Sequence, residues 1–314
     1  MLKKIDLIRG KEASVISGLG DYSLRDTLEC GQCFRFERIP NSVLEDEYLV
    51  TLKNKIVHVG QDKRGELIFF GEEDASEDEL IRSYFALDTD LSKIRDDVIA
   101  RTDSEWLKNA AAYAGGIAIL RQDPWEALIS FIISQNNNIP RIKKIIKQIS
   151  AAYGVNLALQ KQGCSSCPLS KIEGSPSSEK CQNCGICYSF PSPENILERP
   201  EGLLPSKPGF RYSYILDAAE KVASGEIDLS AIVKAGSYEH TLSELKRIKG
   251  VGDKVASCVA LFAIGNLEAF PIDVWMKRAI DTYFGGTLDP TTLGKYAGFA
   301  QQYIFHYIRN IENS

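Results

Sequence analysis

The sequence predicts an α+β protein, an N-terminal antiparallel sheet followed by a mainly helical region, and three observations support this. From about residue 12 to 70, short segments rich in β-branched and aromatic residues alternate with Gly, Asn and Asp signals. After Ser76 the apolar residues recur at helical spacing. A stretch rich in Ser, Gly, Pro and Cys interrupts the helical part and reads as an inserted module. With 314 residues, 44% hydrophobic and 25% charged, the chain can build two or three packed layers. The expected organisation is a sheet domain with flanking helices over 1–105, a helical region over 106–314, and a Cys-rich insertion over 161–191.

Taken in order, strands are expected at 14–19, 33–39, 47–60 and 65–71. Helices are expected at 77–86, 91–102, 106–112 and 125–153, the last broken at 136–140. Further helices fall at 212–224, 229–235, 241–247, 254–264, 274–284 and 292–309. The N-terminus lacks an apolar leader and no stretch is long and apolar enough to span a bilayer, so an intracellular, monomeric protein without a membrane partner is expected, cytoplasmic if prokaryotic. The net charge of −5 argues weakly against nucleic acid. Its distribution matters more. An acidic run at 72–79 carries much of the negative total, whereas 141–148 and 245–254 are locally basic.

The segment LKRIKGVGDKVASCVALFAIGNLEAFPIDVW carries the most chemistry. Leu245 and Ile248 belong to a short first helix, and Gly250 and Gly252 are expected to form a tight turn with positive φ. Val255, Cys258, Val259 and Phe262 then line one face of a second helix. Such a helix-hairpin-helix presents backbone N–H groups to phosphate. Lys254 stands in the first turn of the second helix, where the dipole and partial burial disfavour an ammonium. An unprotonated amine can attack a sugar carbon, and Asp273, just before the next helix, can stabilise the cationic sugar that forms as a base leaves. The plainer alternative is a phosphate-binding lysine beside an aspartate helix cap.

GVGDKVASCVALFAIG followed by FPIDVWMKRA resembles the signature of the DNA glycosylase superfamily that includes endonuclease III. Three other segments narrow the resemblance to the 8-oxoguanine DNA glycosylase/AP lyase family: ECGQCFRF, RQDPWEALISFIISQNNNIPRI and AGFAQQYIF, in family order. The resemblance implies Lys254 as Schiff-base nucleophile and Asp273 as catalytic carboxylate. It implies Gly31, on a strand, as the acceptor for the N7 hydrogen that only oxidised guanine has, Cys258 and Phe305 as walls around the flipped base, and Gln301 as reader of its Watson–Crick edge. Asn136, Arg141 and Arg211 match residues that contact the orphaned cytosine, with Phe210 the wedge beside them and Gly250 and Gly252 in the phosphate-binding hairpin. The implied partner is double-stranded DNA containing 8-oxoguanine, and no organic cofactor is implied. Where the family often has histidine two residues after the aspartate, this chain has Trp275.

Two other classes stay open at this point: a glycosylase for a different damaged base, and a non-catalytic helix-hairpin-helix DNA-binding module. The Gly31 segment and the cytosine readers speak against the first. Possession of both Lys254 and Asp273 speaks against the second, because a phosphate clamp requires neither.

The cysteines form a separate motif. Cys164, Cys167, Cys181, Cys184 and Cys187 are spaced C-x2-C-x13-C-x2-C-x2-C, a metal-binding pattern in an intracellular protein. Four thiolates suit tetrahedral zinc and leave one spare; CQNCGIC also has iron–sulfur spacing, so that alternative stays open. Spacing and position both differ from the cysteine cluster of endonuclease III relatives. Cys30 and Cys33 are also spaced CxxC but are expected to be packing residues on the strand that carries Gly31.

Overall fold

A computed structural model of the chain describes residues 3–8, 11–40, 42–70, 75–157 and 186–312. Six strands form one antiparallel sheet in the order β1-β2-β6-β5-β4-β3. They are β1 Lys3–Ile8, β2 Lys11–Ile16, β3 Phe36–Arg38, β4 Asp46–Leu52, β5 Lys55–Gln61 and β6 Leu67–Phe70. Tyr48 opposes Val59 and Val50 opposes Val57, while Val59 opposes Phe69 on its other side. The two-residue side-chain period sends all five into the main core, where the helices cover them. On the opposite face, buried Glu47 pairs with His58 at 2.6 Å beside a small cluster of Ala13, Val15 and Ile68.

Helices α1 Leu24–Glu29, α2 Ala75–Tyr84, α3 Leu91–Ala100, α4 Glu105–Ala114, α5 Pro124–Ser134 and α6 Ile139–Tyr153 precede the cysteine segment. After it come α7 Pro193–Glu198, α8 Arg211–Ala223, α9 Leu229–Ala235, α10 Tyr238–Leu245, α11 Asp253–Val259, α12 Val274–Tyr283 and α13 Ala297–Ile311. Helix α5 is central. Asp123 caps it by accepting from the Trp125 and Glu126 amides, Pro124 starts it, and Trp125 and every residue from Ala127 to Ile133 are buried. Helix α11 packs on α5, and α13 packs on α3, α4 and α12.

Several expectations shift. The strand expected at 14–19 is Lys11–Ile16, and its partner β1 escaped notice because KKIDLI mixes charge into its alternation. The expected 33–39 strand shortens to Phe36–Arg38, with one further backbone bond to β4 at each of Arg35 and Ile39: Gly31 lies in a turn with φ +93°, and Gln32 and Cys33 turn into the core. Gly31, Cys30 and Cys33 are therefore not on a strand. Helices α1 and α7, each of six residues, are too short for a periodic signal. The helix expected at 241–247 begins three residues sooner, because Ser237 caps it through the His240 amide. The helix expected at 254–264 changes to a π turn at Ala260–Ile264. The last expected helix divides where Gly294 takes φ 69° and ψ −153°, leaving a 3-10 turn at Pro290–Tyr296 ahead of α13.

The sheet region meets the helices through the side chain of Gln32, which is fully buried. Its amide nitrogen donates to the Thr27 and Ala118 carbonyls, both at 2.8 Å, and its oxygen accepts from the Leu120 amide at 2.9 Å. Thr27 Oγ1 accepts from the Ala118 amide at 3.0 Å, and Gln122 Nε2 donates to the Gln32 carbonyl at 2.8 Å. The Gly31 turn is thereby fixed to the chain between α4 and α5. Gln32→Leu keeps the volume and strands these backbone groups, so it is expected to destabilise by about 2–4 kcal/mol. Urea denaturation checks this; a change below about 1 kcal/mol means other contacts hold the seam.

Candidate active site

The hairpin begins where α10 ends at Leu245 and turns through Gly250 into α11. Gly250 has φ +77°, and a Cβ there would stand 2.2 Å from the Tyr214 ring, so both conformation and space require glycine. Gly252 is different. Its φ is −103°, so positive φ is not why it is glycine, and a Cβ there would meet nothing within 4 Å. It occupies the α11 cap position with no side-chain cap, leaving the first-turn amides open to an anion.

Lys254, the second residue of α11, extends toward α5. Its Nζ donates to Ser134 Oγ at 2.8 Å, and that hydroxyl donates to the Phe131 carbonyl at 2.8 Å. The ammonium also stands 5.3 Å from the centre of the Phe131 ring. Asp273 caps α12 by accepting from the Met276 amide at 2.9 Å, which fixes one carboxylate oxygen at a helix N-terminus. The helix-cap alternative for Asp273 is thus correct as far as it goes. Cap and cleft are compatible, because Lys254, Asp273 and Cys258 line one cleft. The Cys258 thiol is pushed up to about 11, burial being the main cause and the Lys254 charge a partial offset.

The same cleft is walled by Gly31, Gln301 and Phe305, together with Phe131, Phe262 and Pro271. All six substrate-pocket and catalytic residues expected from the sequence, Lys254, Asp273, Gly31, Cys258, Gln301 and Phe305, therefore converge. A Cβ on Gly31 would lie 3.4 Å from both Phe305 Cε1 and Ile139 Cδ1 in a backbone conformation that L residues avoid. Arg309 lies over the Phe305 ring, 5.1 Å from its centre, and is eased toward neutrality chiefly by burial. As it stands the cleft holds about 50 Å³, room for a few waters, so a bicyclic base enters only if Phe305 and its neighbours draw apart.

A wider hollow of about 410 Å³ opens beside it, shared at Lys254 and Asp273 and lined by Asn136, Gly252, Val274, Trp275 and Lys277. Asn136 is exposed with φ +46°, and Arg141 is exposed at the start of α6. Phe210 is 50% exposed, an unusual position for a large aromatic, and is braced by Tyr214 and Arg211. Arg211 departs from expectation. It is 4% exposed, and its guanidinium donates to the carbonyls of Gln135, Asn136 and Pro208. The asparagine turn leaves carbonyls that need donors, and Arg211 supplies them from within; in this conformation it braces the turn and faces no groove. A larger cavity, about 830 Å³ beside Trp125 and Phe190, contains neither Lys254 nor Asp273, so size does not locate the chemistry.

Sequence reasoning missed Ser134 and Gln302. The signal for Ser134 was the hydroxyl that ends the run ISFIIS, two residues before Asn136. Cys30 and Cys33 are buried, with thiols raised by that burial, as packing residues should be. Cys164, Cys167, Cys181 and Cys184 lie outside the described residues. Cys187 is buried where the chain returns, and its carbonyl accepts from the Leu157 amide at 2.7 Å. Among the described residues no cluster of potential metal ligands is found.

A twisted antiparallel sheet, a helical body and a hairpin that sets a lysine across a cleft from a helix-capping aspartate define the helix-hairpin-helix glycosylase class of fold. The family description "8-oxoguanine DNA glycosylase, N-terminal domain" matches residues 14–128. The chain is 31% identical over 279 residues to the N-glycosylase/DNA lyase of Saccharomyces cerevisiae, covering 81% of this chain and 66% of that protein. It matches the structure of MBOgg1 in complex with a low affinity DNA ligand at 32% identity and TM-score 0.80, covering 99% of each chain. It also matches Clostridium acetobutylicum 8-oxoguanine glycosylase/lyase, solved with double-stranded DNA containing cytosine opposite 8-oxoguanine, at 29% identity and TM-score 0.81 over 99% of this chain and 98% of that one. The chain belongs to the 8-oxoguanine DNA glycosylase family. It spans 53 to 66% of the length of the curated relatives it matches.

The buried Cys258 thiol makes stability depend on pH. Its acid form is favoured by folding, so its contribution is complete below the ordinary value of 9 and is lost as pH rises toward about 11. Between those limits the thiol should lower stability by about 1.4 kcal/mol per pH unit. Urea midpoints measured at rising pH should fall more steeply for wild type than for Cys258→Ala; equal slopes refute this.

Proposed function

We propose that the protein is a bifunctional DNA glycosylase and AP lyase that removes 8-oxoguanine opposite cytosine from duplex DNA. The observation that carries the reading is the meeting of Lys254 and Asp273 in one cleft with Gly31, Cys258, Gln301 and Phe305. Uncapped amides at Gly252 and the exposed Arg141 and Lys144 hold phosphates, Phe210 enters the stack, and the damaged nucleotide turns out into the cleft. Gly31, the only residue type that tolerates this φ so near Phe305, gives the base backbone contact, and its carbonyl accepts the N7 hydrogen. Asn136, Arg141 and a repositioned Arg211 receive the orphaned cytosine.

Lys254 releases its ammonium proton to solvent and leaves Ser134, and the neutral amine forms a bond to C1′ as the bond from C1′ to N9 breaks. The electron pair departs with the base, which then takes up a proton. Asp273 opposes the positive charge that develops on the sugar. Loss of a proton from nitrogen and ring opening give an imine, and removal of a C2′ proton expels the 3′ phosphate, nicking the strand. Relatives named as N-glycosylase/DNA lyases and the 8-oxoguanine glycosylase/lyase of Clostridium acetobutylicum support the assignment. The protein acts as an intracellular monomer on this reading.

The decisive measurement is borohydride trapping on duplex DNA carrying one 8-oxoguanine opposite cytosine. Wild type should form a covalent adduct and Lys254→Gln none. Tight duplex binding with neither adduct nor base release would leave a non-catalytic DNA-binding module.

We also propose that four of Cys164, Cys167, Cys181, Cys184 and Cys187 bind one zinc ion, a reading supported by their paired knuckle spacing. The metal serves to fold the inserted segment and takes no part in the chemistry. Elemental analysis should find one zinc per chain, lost when two paired cysteines are changed to serine; iron with acid-labile sulfide would replace zinc by a cluster.

A further inference from the structure

Gln302 lies beside Gln301 on α13, and both side chains are in the wall of the cleft that holds Lys254. They are 3% and 4% exposed, and Gln302 Nε2 donates to Gln301 Oε1 at 2.7 Å. The remaining atom of the Gln302 amide, Oε1, is sealed from solvent and has no hydrogen-bond partner. Leaving a buried amide oxygen unpaired costs about 1–3 kcal/mol, so a native protein tolerates it where a ligand completes the bond. Elsewhere in the cleft lining Phe131, Phe262 and Phe305 are hydrocarbon, and Lys254 Nζ donates to Ser134 Oγ, not to this oxygen.

We propose that Gln302 is a second base-reading residue, whose Oε1 accepts an N–H from the Watson–Crick edge of the extruded base. This rests on the glycosylase reading above. The bond to Gln301 holds the two amides as one unit, so the orientation of each depends on the other. A guanine-type base presents N1–H and a 2-amino group side by side, both donors. An adenine-type base has a lone pair at N1 and a C–H at position 2, its amino donor standing at position 6, where a guanine-type base has an oxygen. The unpaired Gln302 oxygen therefore completes its bond with the first and is repelled, still unpaired, by the second. Gln302 is a specificity-determining residue, acting at the edge of the base opposite the N7 contact of Gly31.

The test compares single-turnover release of 8-oxoguanine and 8-oxoadenine from otherwise identical duplexes by wild type, Gln302→Met and Gln302→Asn. Wild type should prefer 8-oxoguanine. Gln302→Met, similar in volume but without an acceptor of that strength, should lower the preference at least about tenfold, equivalent to about 1.4 kcal/mol. Gln302→Asn keeps both the amide donor toward Gln301 and the acceptor oxygen, one methylene shorter, and should retain more of the preference than Gln302→Met. Equal slowing on both bases by both variants indicates packing alone and overturns the inference, as does a preference that Gln302→Met leaves unchanged or raises. If Gln302→Met does not fold, Gln302→Asn decides: preference lost with donor and acceptor both retained also overturns it. Wild type that releases neither base overturns the glycosylase reading and this inference with it, a result distinct from the others.

Discussion

The constraint on which the site depends is a close approach of backbone to aromatic ring at the boundary between sheet and helices. Gly31 holds a positive φ so near Phe305 that an added Cβ would already stand in contact with the ring. Its neighbour holds it there. Gln32 exchanges hydrogen bonds with Thr27, Ala118 and Leu120 in a dry interface, where each unmade bond would carry a full desolvation cost. A loop tied at three backbone points cannot drift by the fraction of an ångström that would open or close the cleft.

Lys254 and Asp273 are positioned by a different device. Helix α5 is apolar on every side, so it must lie inside, and the elements that cover it are brought together around its end. Ser134 terminates that helix and receives Lys254 from α11, while Asp273 is held by the start of α12. Three helix termini thus meet where the chemistry is placed. The lysine rests on a neutral hydroxyl, which leaves the Asp273 carboxylate available for charge that arises later.

The surface that faces the hollow shows how a charged group can support a site without touching a ligand. Arg211 turns away from solvent because the asparagine turn, with Asn136 at positive φ, exposes carbonyls that would otherwise lack donors. Burial and the nearby charge of Arg141 both weigh against its guanidinium, and the carbonyls compensate. The same logic holds Arg35, which bonds Glu126 and the Tyr188 carbonyl and so ties the end of the cysteine segment to α5 and the sheet.

Much was legible in the chain alone: the change from short β-rich segments to helical periodicity, the hairpin glycine at 250, the Asp-Pro start of α5, and the lysine and aspartate that converge. These are local signals, set by backbone sterics, capping and the spacing of apolar residues. Helices α1 and α7 were not legible because six residues give too little periodicity, nor was β1, an edge strand whose pairing lies outside its own sequence. Only tertiary structure decided that Gly31 sits in a turn, that Arg211 faces inward, that Ser134 holds Lys254, and that Gln302 is left with an unpaired oxygen in the cleft. The reason is physical: a residue type states which bonds it can make, but the partners lie tens of residues away, and only packing determines which of those bonds are made and which remain open.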